Sequence, residues 1–82
     1  QAHRACELQA QRAREFTVVF EGSFINARQR PTFGAPVTRR LVRGELIFAC
    51  AKRGSWLRTL QDDWVLLSHP TLGVLVKERP ER

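Results

Sequence analysis

The close spacing of turn-forming residues is the feature that most constrains the fold of this sequence. Between residues 43 and 70, groups of Gly, Asp and Pro residues recur at intervals of eight to ten positions. The segments that they separate, 45–51, 56–60 and 64–68, are too short for typical helices and are rich in strand-forming residues. This pattern predicts a meander of three antiparallel strands joined by tight turns.

Similar short extended segments lie on both sides of the meander. Apolar residues alternate over 16–20, a second extended segment covers 23–30, and a closing segment covers 72–78. Residues 31–36 contain two prolines and a glycine and predict a loop. We therefore predict an all-β domain over residues 16–78, a small antiparallel barrel of five or six strands.

The two ends of the chain have a different composition. Residues 1–15 are rich in Ala, Gln, Arg and Glu, which favour a short N-terminal helix. An isolated helix of this length is marginally stable in water, so we expect it to pack against the barrel or against another protein. Residues 79–82 are polar and are predicted to form a loose tail.

The apolar pattern predicts a small core and a special position for the two tryptophans. Trp56 and Trp64 each open a predicted strand, where large aromatic residues close the end of a barrel or flank a groove. We expect Trp64 to be the more buried of the two. The predicted core residues are Phe20, Ile25, Val37, Leu41, Leu46, Phe48, Leu57, Val65 and Leu67.

An ordered series of short motifs covers residues 24–67. They are INAR (25–28), PT (31–32), LVRG (41–44), LIF (46–48), GSWL (54–57) and WV (64–65). Their order and spacing resemble the bacterial-type SH3 (SH3b) family, which implies an SH3-like barrel for this chain. The sequence departs from the family pattern at Thr59, where an apolar residue is usual, and at Asp63, where glycine is usual.

Positive charge is concentrated in the middle of the chain. Residues 28–58 contain eight Lys and Arg residues and one acidic residue, Glu45, which leaves +7, whereas residues 1–27 and 59–82 carry 0 and −1. A cluster of this kind attracts anionic partners. Phe33, at the tip of the 31–36 loop, lies between its arginines, a composition typical of an interface hot spot.

These observations predict a binding module and no enzyme. The predicted protein interface consists of Arg28, Arg30, Phe33, Arg39, Arg40 and Arg43, and Trp56 and Trp64 are candidates for a groove. Neighbouring carboxylates such as Asp62 and Asp63 point to opposite faces of a strand and favour a turn role. We find no catalytic constellation, no metal-ligand spacing and no phosphate-binding loop, and we expect no cofactor.

The two cysteines, Cys6 and Cys50, are expected to be free thiols, with a single disulfide as the alternative. Free thiols favour a reducing intracellular compartment, including an organelle entered after removal of a targeting peptide. The chain contains no apolar run long enough for a transmembrane segment.

Three kinds of partner are compatible with the sequence. We expect an acidic protein surface in a larger complex, where the chain would be an accessory subunit; a peripheral position on a membrane complex fits this expectation. The alternative is RNA or the ribosome, bound through phosphates by the same arginines. A weaker alternative is cell-wall peptide or glycan, which the SH3b resemblance implies.

Overall fold

The described part of the chain, residues 13–79 of a computed structural model, consists of β-strands and connecting turns. The nine strands are β1 Arg14–Val18, β2 Ile25–Arg28, β3 Val37–Leu41, β4 Leu46–Arg53, β5 Trp56–Thr59, β6 Trp64–Leu66, β7 Ser68–His69, β8 Gly73–Val74 and β9 Val76–Glu78. Within residues 13–79 there is no helix. The predicted all-β class is therefore confirmed for this part of the chain.

Seven strands form one antiparallel sheet in the order β3-β2-β6-β5-β4-β1-β9, and β7 and β8 form a separate two-stranded hairpin. The predicted meander of β4, β5 and β6 is present. The β4–β5 connection is a two-residue turn at Gly54-Ser55, and Gly54 has a φ of 59°, which glycine tolerates and most residues do not. The seven-stranded sheet is not closed, since β3 and β9 are its two edges.

The sheet curves around one core. Leu41 of edge strand β3 and Val76 of edge strand β9 belong to the same buried cluster. Seven flat strands would hold the edges roughly 29 Å apart at about 4.8 Å per strand. Both edges share a core only because the sheet is strongly bent.

The core confirms the predicted burial of some residues and corrects that of others. Ile25, Leu41, Leu57 and Val65 are buried, and Phe20 and Leu67 are partly buried against the cluster. The burial predicted for Val37 is wrong, because this residue opens an edge strand and its side chain is exposed.

The phase of β4 was also predicted wrongly. Ile47 and Ala49 point into the core, whereas Leu46 and Phe48 are 47% and 45% exposed. Side chains alternate between the two faces of a strand, so a phase error of one residue inverts the whole set. β4 is apolar on both faces, and its sequence therefore contains no alternation from which the phase could be read.

The remaining predictions concern the two ends of the β domain and the cysteines. β1 begins at Arg14, two residues before the predicted start of the β domain at residue 16. Residues 1–12 of the predicted N-terminal helix lie outside the described residues, and the prediction is wrong for Arg14 and Glu15, which belong to β1. Most of the predicted tail also lies outside the described residues. Cys50 is disulfide-bonded, so the expectation of a free thiol at this position is wrong.

Candidate functional site

One face of β2, β6 and β5 combines arginines with aromatic residues. Arg28 is directly across from Trp64, which in turn is across from Arg58, and residues directly opposite one another share a face. By strand alternation Asn26, Trp56 and Leu66 are on this face too. Both candidate groove tryptophans therefore belong to one surface, but of the two only Trp56 lines the groove on it. Each is half-buried, and Trp56 packs against the core.

A groove of about 200 Å³ lies on this face. Its floor includes Asn26, Trp56 and Leu66. Phe33, from the loop between β2 and β3, forms one wall, and His69 and Leu72 of the β7–β8 hairpin form a second wall that meets the first where the Phe33 and His69 rings contact each other. Further lining residues are Phe20, Phe24, Ile25, Arg28 and Leu75. The groove is therefore apolar, with few polar groups.

Three rings meet in this groove. The ring of Phe33 contacts Trp56 edge to face, with a centroid distance of 5.5 Å, and contacts His69 in the same way at 5.6 Å. Phe33 nevertheless stays 52% exposed. The Phe33 ring therefore packs on two other rings of the groove and remains open to a partner.

Hydrogen bonds hold both walls. Arg28 Nη1 donates to the carbonyl of Ala35 at 2.8 Å, which ties the Phe33 loop to β2, and the Ala35 side chain is buried beneath the loop. In the hairpin, His69 Nδ1 accepts from the backbone N–H groups of Thr71 at 3.1 Å and Leu72 at 3.2 Å. The walls are thus preorganised, which reduces the entropic cost of binding.

Two arginines of this surface lie over aromatic rings, and a third lines the groove. The guanidinium carbon of Arg40 is 4.5 Å from the centroid of Phe24, and that of Arg53 is 5.9 Å from the centroid of Trp64. Arg28 lines the groove itself. We call these three residues, together with Arg30 in the Phe33 loop, the basic face.

Arg39 has a structural partner instead. Its Nε donates to Asp63 Oδ2 at 2.8 Å, and the Asp63 carboxylate also accepts from Thr38 Oγ1 at 2.9 Å and Thr59 Oγ1 at 2.5 Å. Asp63 is 3% exposed. Burial raises its pKa, but the hydrogen bonds from Arg39, Thr59 and Thr38 and the charge of Arg39 outweigh burial and lower that pKa. The network clamps edge strand β3 to the β5–β6 turn.

Arg43 is also separated from the groove. It lies in the turn between β3 and β4, at the opposite end of the β2–β3 hairpin from the loop with Arg30 and Phe33. Of the six predicted interface residues, Arg28, Arg30, Phe33 and Arg40 are associated with the groove or its loop. Arg53 and His69 belong to this surface as well, although neither is among the predicted site residues. The only sequence signal at His69 is the following proline, which indicates an extended, rim position.

Residues 13–79 contain no group of three or more His, Cys, Asp and Glu side chains placed to hold a metal ion. The same part of the chain has no helix with the length and apolarity needed to cross a bilayer. Comparison of the chain with family models, with curated proteins and with solved structures finds no match. The SH3b resemblance therefore stays a prediction from the sequence motifs.

Proposed function

We propose that the chain is a non-catalytic, SH3-like interaction module that docks on an acidic protein surface of a larger assembly. The observation that supports this most is the combination, on one side of the sheet, of an open aromatic groove and three arginines, with a fourth, Arg30, in the Phe33 loop. Aromatic residues and arginine are the residue types most enriched at interface hot spots. Arginine also suits planar, bidentate contacts to carboxylates.

The charge distribution supports an acidic partner. Residues 13–79 contain six carboxylates, and four of them form ion pairs, with Arg14, Arg39, Arg58 and Arg79. None of these four arginines belongs to the basic face. Within residues 13–79, no carboxylate forms an ion pair with an arginine of the basic face, so its charge is available to a partner.

Phosphate-backbone binding to RNA is the second candidate. An exposed ring beside arginines, as at Phe33, is also the arrangement on which a base can stack. The groove favours protein because its lining includes the aliphatic side chains of Leu66, Leu72 and Leu75. A nucleotide would bring its ribose and phosphate against this apolar lining, at a cost in desolvation.

A selection from a random peptide library, at physiological salt, tests the proposal. We expect the recovered peptides to be enriched in Asp and Glu, and to lose binding when the immobilised protein carries Arg40→Glu and Arg53→Glu. Peptides without acidic enrichment would contradict the proposal. Displacement of the peptides by a single-stranded oligonucleotide, with a steep loss of oligonucleotide binding as salt rises, would favour the RNA candidate instead.

A further inference from the structure

We infer that the groove is a socket for one bulky apolar side chain, tryptophan above others, presented by an extended acidic segment of the partner. This inference rests on the proposed function and specifies the ligand class of the same surface. The basic face would bind carboxylates that flank the anchoring side chain. The groove would then determine which acidic segments are bound, because charge alone discriminates poorly between acidic sequences.

The size of the groove favours a single side chain. Its volume of about 200 Å³ is below the range typical of small-molecule and cofactor pockets, about 300–1,000 Å³. One large side chain fills such a space, and Phe33 and Leu72 at the groove are exposed, so the backbone of a bound segment can stay in solvent outside it. A free cofactor would have most of its surface left in water.

The chemistry of the lining favours an aromatic anchor. Phe24, Phe33 and Trp56 provide ring surfaces for edge-to-face or stacked contacts with an inserted ring. Asn26 is a polar group on the otherwise apolar floor, and its amide can accept a hydrogen bond from an indole N–H. An indole meets both conditions, whereas an aliphatic side chain meets neither of them.

The arginines around the socket select the flanking residues. Arg28 uses one guanidinium nitrogen to hold the Ala35 carbonyl and keeps further N–H donors beside the groove. Arg40 and Arg53 are held against the rings of Phe24 and Trp64, which limits the side-chain entropy that a carboxylate contact would cost. A segment with acidic residues on both sides of its anchor therefore matches this surface.

The test uses the full chain, labelled with ¹⁵N, and two synthetic peptides. One peptide has a central tryptophan flanked by glutamates, and the other has alanine in place of that tryptophan. We expect the tryptophan peptide to shift the indole N–H signal of Trp56 in a saturable manner. The alanine peptide should bind at least about tenfold more weakly, the change expected for losing a hot-spot anchor.

Two single substitutions of exposed phenylalanines provide matched variants. Phe33→Ala removes a wall of the socket and should weaken binding of the tryptophan peptide at least about tenfold. Phe48→Ala removes a similarly exposed ring that does not line the groove and should leave binding unchanged. Preserved amide dispersion in both spectra verifies that each variant is folded.

The outcomes separate the socket from the proposed function. Equal binding of both peptides, weakened by Arg40→Glu but not by Phe33→Ala, would overturn the socket and leave the acidic docking surface standing. No binding of either peptide would overturn both. In that event a single-stranded oligonucleotide that shifts the Trp56 signal would identify nucleic acid as the ligand.

Discussion

The hydroxyl of Thr59 donates to the buried carboxylate of Asp63 at a distance of 2.5 Å, across the β5–β6 turn. Thr59 is itself 1% exposed. These are the two positions at which the sequence departs from the SH3b pattern, and they are hydrogen-bonded to each other. Each departure alone would place an isolated polar group in the core, whereas together, with Arg39 and Thr38, they form a satisfied network.

This network predicts a large stability loss when the carboxylate is changed. Asp63→Ala removes the ion pair with Arg39 and the hydrogen bonds that the buried carboxylate accepts from Thr38 and Thr59. We expect the free energy of unfolding to fall by about 3 kcal/mol, measured by urea denaturation. Asp62→Asn is the control, since it removes an exposed ion pair with Arg58, keeps a residue type that tolerates the φ of 66° at this position and should cost less than about 1 kcal/mol. Equal losses of stability for the two variants would mean that the Asp63 network does not hold β3 to the β5–β6 turn.

The lowered pKa of Asp63 predicts an acid-sensitive stability. The folded-state pKa lies below the ordinary value of 3.8, so this carboxylate stabilises the fold above that value. The contribution is lost as the pH falls through the lowered folded-state pKa. The urea midpoint of the wild-type chain should therefore decrease on acidification below pH 3.8, and it should decrease less in Asp63→Asn. An identical pH profile for the two proteins would contradict this assignment.

The register of β4 predicts a large loss of stability for a substitution at one residue and a small loss at its neighbour. Ile47 is 2% exposed, and Ile47→Ala should lower the free energy of unfolding by about 2–4 kcal/mol through loss of packing. Phe48→Ala, although it deletes a larger side chain, should cost less than about 1 kcal/mol because its ring faces outward. Thermal unfolding of the two variants measures the difference. A larger loss for Phe48→Ala would mean that the strand has the opposite phase.

The hairpin wall of the groove depends on one imidazole nitrogen. His69→Ala removes the acceptor for the N–H groups of Thr71 and Leu72, so these amides should exchange with solvent several-fold faster. His69→Asn is the matched variant, because an asparagine oxygen can accept from the residue two positions on. Hydrogen exchange should be slow again in His69→Asn at Thr71. Unchanged exchange in His69→Ala would show that the imidazole does not hold this wall.

The features of the fold that can be predicted from the sequence are those set by residues close together in the chain. The meander of β4, β5 and β6 follows from short apolar segments and turn residues, and Ile25, Leu57 and Val65 were recognised as core. The adjacent arginines Arg39 and Arg40 must point to opposite faces of β3, but nothing local indicates which of them meets Asp63. That choice is made by packing between distant parts of the chain.

The groove could not be predicted for the same reason. Phe33, Trp56 and His69 come from three separate parts of the sequence, and they meet only because the Phe33 loop and the β7–β8 hairpin both fold over β5. The basic composition of residues 28–58 was visible at once. The division of its arginines into structural ones, such as Arg39, and available ones, such as Arg40, required the positions of the carboxylates.

The central claim, that the basic face docks acidic protein segments, is tested most directly by comparing two charge-reversed variants. Arg40→Glu with Arg53→Glu reverses two arginines of the basic face, and Lys52→Glu with Lys77→Glu makes the same change in net charge on exposed residues away from the groove. The measurement is the dissociation constant of the acidic tryptophan peptide. We predict that the arginine variant binds at least about tenfold more weakly, whereas the lysine variant stays within about threefold of wild type. Equal weakening in the two variants would show that only net charge matters, and it would contradict the claim.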